Sequence, residues 1–367
     1  MKKLITIVGA RPQFVKAAVV SRAIREHKSG IQEIIVHTGQ HYDPNMSDIF
    51  FHELDIPKPH FHLGIGGGSH GKNTGRMIEK IEEILLPEKP DFLLVYGDTD
   101  STLAGAIAAS KIQVPIAHVE AGLRSYNRKM PEEINRVLTD HLSSILLTPT
   151  AHASRNLHKE GIDDSKIRIV GDTMYDAVLY YGEHAKAPTT SVDMDVFEKD
   201  YALCTIHRAE NTDDTARLRE ILQGLASLPI SIILPMHPRT RNRIETADIQ
   251  LGGNIHVIEP VGYLEMIWLQ KRASLILTDS GGVQKEAYFH KTPCITLRDE
   301  TEWVELVDIG ANMLAGADAE KIVSSFGKLS GFSFPDDPIY GNGDAGEQIV
   351  DALQAYMNSG DTHAPGN

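Results

Sequence analysis

Three carboxylates in the first half of the chain stand at or just beyond the ends of short apolar runs. Asp98 follows Leu93-Leu94-Val95-Tyr96-Gly97, Glu120 follows Ile116-Ala117-His118-Val119, and Glu132 opens the stretch Pro131-Glu132-Glu133-Ile134-Asn135-Arg136. Carboxyl groups converging on one site push each other's pKa values apart, and so divide into an acid and a base. Arg136 lies four residues after Glu132, on the same helix face, where a guanidinium supports carboxylates. Each residue also has a plain structural reading: Asp98 as the cap of a helix beginning near Thr99, Glu132 as the partner of a helix dipole. Coincidence at one sheet edge favours chemistry.

A second set of residues fits an anion. In Gly9-Ala10-Arg11-Pro12-Gln13-Phe14-Val15-Lys16 a strand passes into a helix. Arg11 falls at the helix N-terminus, where unpaired N–H groups and the dipole favour negative charge. Lys16 lies about one turn further on, and the two together suit a diphosphate. In the second half, His207 ends a strand at Cys204-Thr205-Ile206-His207-Arg208, the position of a phosphate or leaving-group contact. The sharpest local signal is Leu277-Thr278-Asp279-Ser280-Gly281-Gly282-Val283-Gln284-Lys285-Glu286. Here Gly281 and Gly282 let a phosphate approach backbone N–H groups closely. Glu286, one turn into the helix, suits the two hydroxyls of a ribose.

These residues need elements to carry them. Short apolar runs alternate with amphipathic stretches, which predicts parallel βα units. Strands are expected at 4–8, 33–37, 91–96, 115–119 and 144–147, with helices at 13–27, 73–86, 102–111 and 131–142 between them. The pattern weakens from about Gly182 to Phe197, a surface linker. A second series follows, with strands at 201–206, 231–235, 255–259, 274–278 and 294–297. Two α/β domains are therefore expected, 1–182 and 183–344, each a doubly wound sheet. Ligands of such sheets bind beyond the carboxyl ends of the strands, and paired domains of this kind commonly enclose a cleft. The tail after Asn358 is expected to be disordered.

Composition narrows the classes. The chain of 367 residues carries a formal charge of −14, with 41% hydrophobic and 23% charged residues. That excludes non-specific nucleic-acid or anionic-membrane binding through basic patches. No apolar run is long enough to span a bilayer, and no cleavable signal peptide is read at Met1–Gly9, so the cytoplasm is the expected compartment. Cys204 and Cys294 lie in strand-like runs and read as buried, inert thiols. There is no Cys-x-x-Cys pair, and no metal is expected. Gly66-Gly67-Gly68-Ser69-His70-Gly71 matches G-x-G-x-x-G literally. Without a convincing strand before it or an acidic residue at the right distance after it, it reads as a mobile glycine-rich loop and not a nicotinamide site. Walker, G-x-S-x-G and kinase patterns are absent.

Seven motifs taken in order resemble the non-hydrolysing UDP-N-acetylglucosamine 2-epimerases. They are Arg11-Pro12-Gln13-Phe14-Val15-Lys16, Thr38-Gly39-Gln40-His41, Tyr96-Gly97-Asp98-Thr99, His118-Val119-Glu120-Ala121-Gly122-Leu123-Arg124, Pro131-Glu132-Glu133-Ile134-Asn135-Arg136, His207-Arg208-Ala209-Glu210-Asn211 and Asp279-Ser280-Gly281-Gly282-Val283-Gln284. The resemblance spans nearly the whole chain. It implies a glycosyltransferase-B-like pair of Rossmann-like domains with the active site in the interdomain cleft. It also implies a last helix at about 345–358 that packs back on the first domain, and often a homodimer. The implied reaction is reversible conversion of UDP-GlcNAc to UDP-ManNAc by anti elimination of UDP to a glucal and re-addition, with no cofactor. By resemblance, Asp98, Glu120, Glu132 and His207 are catalytic. Arg11, Lys16, Arg136, His237, Ser280, Gly281, Gly282 and Glu286 bind substrate.

Two departures bear on the substrate. Many members carry an arginine after the Gln-His pair, near an allosteric UDP-GlcNAc site, where this chain has Tyr42 and Asp43. Many read Thr-Glu-Arg-Pro-Glu where this chain reads Thr301-Glu302-Trp303-Val304-Glu305. With Gly262-Tyr263-Leu264-Glu265-Met266, this combination resembles the branch acting on UDP-2,3-diacetamido-2,3-dideoxyglucuronate for O-antigen synthesis. Which UDP-sugar is used stays open at this point. Rivals are a glycosyltransferase of the same architecture, a catalytically dead nucleotide-sugar sensor and a hydrolysing epimerase that releases free ManNAc. The glycosyltransferase calls for a basic or membrane-facing acceptor surface, of which the sequence shows none, and the retained carboxylates speak against the sensor.

Overall fold

Runs such as Phe92-Leu93-Leu94-Val95-Tyr96 are apolar at successive positions, so a strand made of them has no solvent face, and all five residues are buried. Strands buried on both faces belong to parallel sheets covered by helices on each side. The computed structural model describes residues 1–27, 30–40, 56–190, 192, 195–335 and 338–358, with Arg11 described through its backbone alone. It comprises two units, 1–179 with the segment from 338 onward, and 180–337.

The first unit runs β1 (Lys2–Val8), α1 (Arg11–Glu26), β2 (Ile31–His37), β3 (Phe61–His62), α2 (His70–Glu88), β4 (Phe92–Tyr96), α3 (Asp100–Lys111), β5 (Ile116–Val119), α4 (Pro131–Leu142), β6 (Ile145–Thr148), α5 (Ala151–Lys159), β7 (Ile167–Ile169) and α6 (Thr173–Gly182), whose end enters the second unit. Its sheet has the order β3-β2-β1-β4-β5-β6-β7, every pairing parallel. The second unit runs α7 (Asp195–Glu198), β8 (Tyr201–Thr205), α8 (Ala209–Thr212), α9 (Thr215–Ala226), β9 (Ser231–Pro235), α10 (Pro238–Thr246), β10 (Ile255–Ile258), α11 (Tyr263–Arg272), β11 (Leu275–Thr278), α12 (Gly281–Phe289), β12 (Cys294–Thr296), α13 (Val304–Asp308), β13 (Asn312–Leu314) and α14 (Ala319–Leu329). Its sheet has the parallel order β10-β9-β8-β11-β12-β13. In both units chain order reverses direction at one place, β1 beside β4 and β8 beside β11. That is the topological switch point where doubly wound sheets hold ligands.

Three strands, β3, β7 and β13, exceed the sequence expectation. Each has two or three residues and closes a sheet edge, too short for a periodic signal. β3 also corrects the reading of the glycine run. Gly66–Gly71 does follow a strand and does open a helix, with Ser69 as the N-cap of α2 and the Asn73 amide donating to the Gly68 carbonyl at 3.2 Å. But β3 lies at the sheet edge, two strands away from the switch point.

Helix starts follow the expected chemistry. Pro12, Pro131 and Pro238 occupy first turns, where a missing N–H costs nothing. The Thr99 hydroxyl accepts from the Thr102 N–H at the head of α3, so Thr99, not Asp98, is the cap. The two cysteines are free and buried. Burial pushes both thiols up, Cys294 to about 12, so neither is a thiolate near neutrality.

The last helix, α15 (Ala345–Asn358), lies on α1. A Cβ at Gly346 would come within 2.8 Å of Val19 Cγ1, and Tyr356 meets Phe92 edge-on with centroids 5.0 Å apart. Its N-terminus is held by Asp176 of α6, which accepts from the Ala345 N–H at 3.1 Å and the Gly346 N–H at 2.8 Å. Burial raises the Asp176 carboxyl from 3.8 to about 6, the two N–H bonds opposing it and Asp172 and Asp344 adding to it. A carboxyl whose folded pKa is raised binds its proton more tightly in the folded state. Its contribution is therefore complete below about pH 4 and is lost as pH rises through about 6. Between pH 4.5 and 7.5 the stability of Asp176→Asn should gain on that of the unchanged protein, by at most about 3 kcal/mol. Urea midpoints at the two pH values measure this, and parallel shifts in both proteins would refute it.

Candidate active site

At the switch point of the first unit, β1, β4 and β5 end side by side. Gly9, after β1, has no room for a side chain: a Cβ would stand 2.1 Å from Thr38 Oγ1 and 2.2 Å from Ser101 Oγ. The Gln13 carbonyl oxygen accepts from the Gly9 and Ala10 N–H groups at 2.8 and 3.0 Å. Its amide nitrogen donates to the Tyr96 carbonyl and to Thr102 Oγ1, both at 2.9 Å. One buried side chain thus ties the turn after β1 to the end of β4.

The turn after β4 presents Asp98 and the bend after β5 presents Glu120. Gly97 and Glu120 both have left-handed backbones, with φ of +61° and +69°. For a glutamate that conformation costs on the order of 1–3 kcal/mol and persists only where surroundings impose it. The Leu147 carbonyl holds the bend by accepting from the Glu120 and Ala121 N–H groups at 3.0 and 3.2 Å, and the Lys16 ammonium holds the side chain, 2.6 Å from Glu120 Oε1, with both side chains at least nine-tenths buried. A Cβ on Gly97 would stand 3.4 Å from Lys16 Nζ and 3.6 Å from Glu120 Oε1, ordinary contact distances, so it is the left-handed backbone and not space that calls for glycine there. Lys16 therefore faces inward to a carboxylate, which departs from its expected pairing with Arg11 around a diphosphate. The backbone of Arg11 opens α1 as expected.

Helix α4 supplies the counter-charges. Arg136, buried, donates to Asp98 Oδ2 at 2.5 Å and to Glu133 Oε2 at 2.9 Å. The Asn135 amide donates to the Asp98 carbonyl at 2.9 Å. Glu133 also accepts from the backbone N–H groups of Ser125 and Tyr126, both at 2.9 Å. Burial acts to raise the Glu133 carboxyl, but these N–H groups and the Arg136 guanidinium bring it below the ordinary range. Arg136 thus meets one of the three expected carboxylates, Asp98, and not Glu132, with which it shares the helix. The guanidinium turns three residues back, to Glu133, and across to Asp98. Glu132 stands half-buried in the first helical turn, without an ion pair among the described residues.

At the switch point of the second unit, His207 follows β8 and Asp279 follows β11. His207 Nδ1 lies 3.0 Å from Asp279 Oδ1, the carboxylate fully buried and the ring about half exposed. Asp279 also accepts from the N–H groups of His207 and Arg208 and from the Asn211 amide. Burial alone would raise it, but His207 and these donors hold it below the usual carboxylate range. A carboxylate on Nδ1 fixes the tautomer and leaves Nε2 outward. Ser280 precedes α12, and its hydroxyl does not cap the helix. The space above Gly282 is open, whereas a Cβ on Gly281 would meet Glu302 Oε1 at 2.4 Å. The helix thus begins with accessible N–H groups, the arrangement that binds phosphate. Glu286 lies in the next turn, buried, with Oε2 accepting from the Gln270 amide at 2.6 Å. His237, exposed after β9, caps α10 by accepting from the Arg239 N–H at 3.2 Å.

Trp303 is buried, and the Lys285 ammonium sits 4.1 Å from its ring centroid. Beside it Glu302 pairs with the buried Arg298 at 3.0 Å. The ring occupying the position of the family arginine thus shields an internal cation. His41, Tyr42 and Asp43 and the tail after Asn358 lie outside the described residues. Sequence reasoning left Gln13, Glu133, Gln270 and Asp279 without roles. All but Gln270 stood inside the quoted motifs, and Asp279 carried the same signal as Asp98, an acidic residue just past a strand.

Among the described residues no cluster of three or more His, Cys, Asp or Glu could hold a metal, and no helix is long and apolar enough to cross a membrane. The family model described as UDP-N-acetylglucosamine 2-epimerase matches residues 22–354. The chain is 54% identical over 357 residues to a UDP-2,3-diacetamido-2,3-dideoxy-D-glucuronate 2-epimerase of Pseudomonas aeruginosa, covering 96% of this chain and 99% of that one. It is 48% identical over 369 residues to the UDP-N-acetylglucosamine 2-epimerase of Methanocaldococcus jannaschii, covering 96% and 98%. The crystal structure of the latter enzyme in complex with UDP-GlcNAc and UDP superposes with a TM-score of 0.87, at 46% identity, over 96% of this chain and 99% of that one. With the family model matched over most of the chain and relatives at 54% and 48% identity aligned over nearly their full length, the chain belongs to the UDP-N-acetylglucosamine 2-epimerase family.

Proposed function

We propose that the protein is a non-hydrolysing 2-epimerase of a UDP-2-acetamido sugar, interconverting UDP-GlcNAc and UDP-ManNAc. The observation that carries the reading is the division of labour between the switch points. One holds Glu120 against Lys16 and Asp98 against Arg136; the other pairs an Asp-held histidine with an open helix N-terminus.

The C2–H of a sugar acetal is not acidic, so UDP must leave as the base acts. A carboxylate takes the C2 proton, the C–H electrons form the C1=C2 bond, and the C1–O pair departs on the β-phosphate oxygen. The N–H groups of Gly281 and Gly282 and the Ser280 hydroxyl, with His207 and Arg11, hold that developing charge, which is where preorganised donors lower a barrier most. Glu286 holds the ribose, and His237 joins the diphosphate contacts. UDP then adds back to C1 while an acid on the opposite face delivers a proton to C2. Two faces need more than one proton carrier, and Asp98, Glu120 and Glu132 supply them. Lys16 and Arg136 keep Glu120 and Asp98 in place.

A second reading, the same reaction on UDP-2,3-diacetamido-2,3-dideoxyglucuronate for O-antigen-type polysaccharide, is favoured by the 54% identity to the Pseudomonas aeruginosa enzyme. Both sugars are to be incubated in D₂O without added cofactor and followed at C2 by NMR. Deuterium at C2 with a UDP-linked product supports the epimerase, and the ratio of kcat/KM assigns the sugar. Free sugar in place of a UDP-linked product, or transfer with C2 unexchanged, would exclude the proposal.

The enzyme works in the cytoplasm as a homodimer. Helix α4 turns its charged face inward, through Glu133, Arg136 and Asp140, and leaves Ile134, Leu138 and Leu142 exposed at 46%, 45% and 36%. Three aliphatic residues at successive helical turns form a stripe that water covers poorly. A second copy is the expected cover, so Leu138→Arg should convert the dimer to monomer in sedimentation. An unchanged dimer would place the interface elsewhere.

A further inference from the structure

His118 lies on β5 two residues before Glu120, fully buried, and no step above uses it. Its ring stands between two acceptors. Nε2 lies 2.7 Å from the Gly97 carbonyl oxygen and Nδ1 2.7 Å from Asp140 Oδ1, so making both bonds requires both nitrogens to carry hydrogen. Asp140, on the inner face of α4, also accepts from the Gly122 N–H at 3.1 Å and pairs with Arg124 at 2.8 Å. Arg124 in turn binds Glu160 at 2.7 Å.

The consequence is geometric. The peptide that His118 grips, at Gly97, has φ of +61° and leads directly into Asp98. The bend that Asp140 grips, at Gly122, follows Glu120 by two residues. Helix α4 already holds the Asp98 side chain through Arg136. Through Asp140 and His118 the same helix also holds the backbone from which Asp98 projects, and it does so in register with Glu120. Proton transfer to and from carbon is sensitive to this: a misplacement of about 1 Å costs on the order of 10² in rate.

We propose that His118 is a positioning residue for C2 proton transfer, its Nε2–H bond to the Gly97 carbonyl setting Asp98 relative to Glu120. This rests on the epimerase reading above. Two amide substitutions separate the two ring bonds. A glutamine nitrogen reaches about as far as Nε2 and keeps the donor to Gly97. An asparagine nitrogen reaches only as far as Nδ1 and keeps the donor to Asp140. His118→Gln should retain kcat within about fivefold of the unchanged enzyme. His118→Asn should lose about 30- to 100-fold, with KM for the UDP-sugar within about threefold in both, because His118 touches none of the proposed nucleotide contacts (Arg11, His207, Glu286 and the start of α12).

A histidine that only fills the core and pairs with Asp140 predicts the reverse order. An asparagine variant as active as the glutamine variant, or the glutamine variant down tenfold or more, overturns the proposal. Should His118→Asn fail to fold by circular dichroism, His118→Met, which carries no donor, takes its place in the same comparison. An unchanged enzyme that does not exchange C2 overturns the function itself, whereas exchange in the unchanged enzyme with the wrong order of variants overturns only the role of His118.

Discussion

Glu120→Gln should abolish nearly all C2 exchange, with kcat down about 10³-fold, inside the range for loss of a general acid or base. UDP binding should persist, since Glu286 and the start of α12 belong to the other unit. The expectation rests on what the structure spends on this residue. Its backbone sits at φ +69° just past the end of β5, beside the turn that carries Asp98. Its carboxylate also has a dedicated buried lysine. A strained backbone that also carries a buried, paired carboxylate at a strand end is the combination that points to function.

The substitution has a second effect that must be separated from the first. Glutamine keeps an acceptor for the Lys16 ammonium but removes the counter-charge from a buried cation, and breaking a buried pair from one side destabilises by up to about 3–5 kcal/mol. The double variant Lys16→Met/Glu120→Gln removes that cation and should recover much of the stability without recovering exchange. Urea midpoints and deuterium incorporation at C2, measured on the same samples, distinguish the two. If Glu120→Gln exchanges C2 at the unchanged rate, Glu120 carries no proton and its lysine is a fold device only.

The strands that carry the site were legible in the sequence because they are central and buried on both faces, giving continuous apolar runs from Leu93 to Tyr96 or Leu275 to Leu277. The edge strands β3, β7 and β13 were not, since two or three residues leave no period to read. Positions were likewise more legible than partnerships. That Asp98, Glu120, His207 and Ser280 stand just past strands follows from the alternation of runs. Which cation meets which carboxylate depends on rotation about α4, and 3.6 residues per turn allows both Glu132 and Glu133 to neighbour Arg136. The choice falls to Glu133 because the Ser125 and Tyr126 N–H groups also need an acceptor there. Lys16 could not be read as inward because a lysine in the second turn of a helix is ordinarily solvated. Only the left-handed bend at Glu120, a tertiary feature, supplies its partner.

Asp279→Asn should lower kcat about 10³-fold, by analogy with other histidines whose carboxylate partner is exchanged for an amide and whose tautomer is thereby misassigned. Asp279 is surrounded by donors alone: His207 Nδ1–H, two backbone N–H groups and the Asn211 amide. An asparagine must set its own NH₂ against at least one of them. If the amide oxygen keeps the backbone, the NH₂ faces His207 and turns the ring's proton to Nε2. His207 then presents a different ring nitrogen arrangement to the departing diphosphate. His207→Ala should cost a similar factor in kcat, but with little stability loss, because its ring is half exposed. Asp279→Asn should in addition cost about 1–3 kcal/mol for the unmatched buried donor. The pH dependence carries the same sign. The folded-state pKa of Asp279 is depressed, so its contribution is present above the ordinary carboxylate range and is lost as pH falls through the folded value. The asparagine variant should therefore show a shallower loss of stability on acidification below about pH 4. Equal kcat in Asp279→Asn and the unchanged enzyme would mean that His207 acts without its carboxylate, and an equally steep acid limb would mean that Asp279 is not ionised in the folded protein.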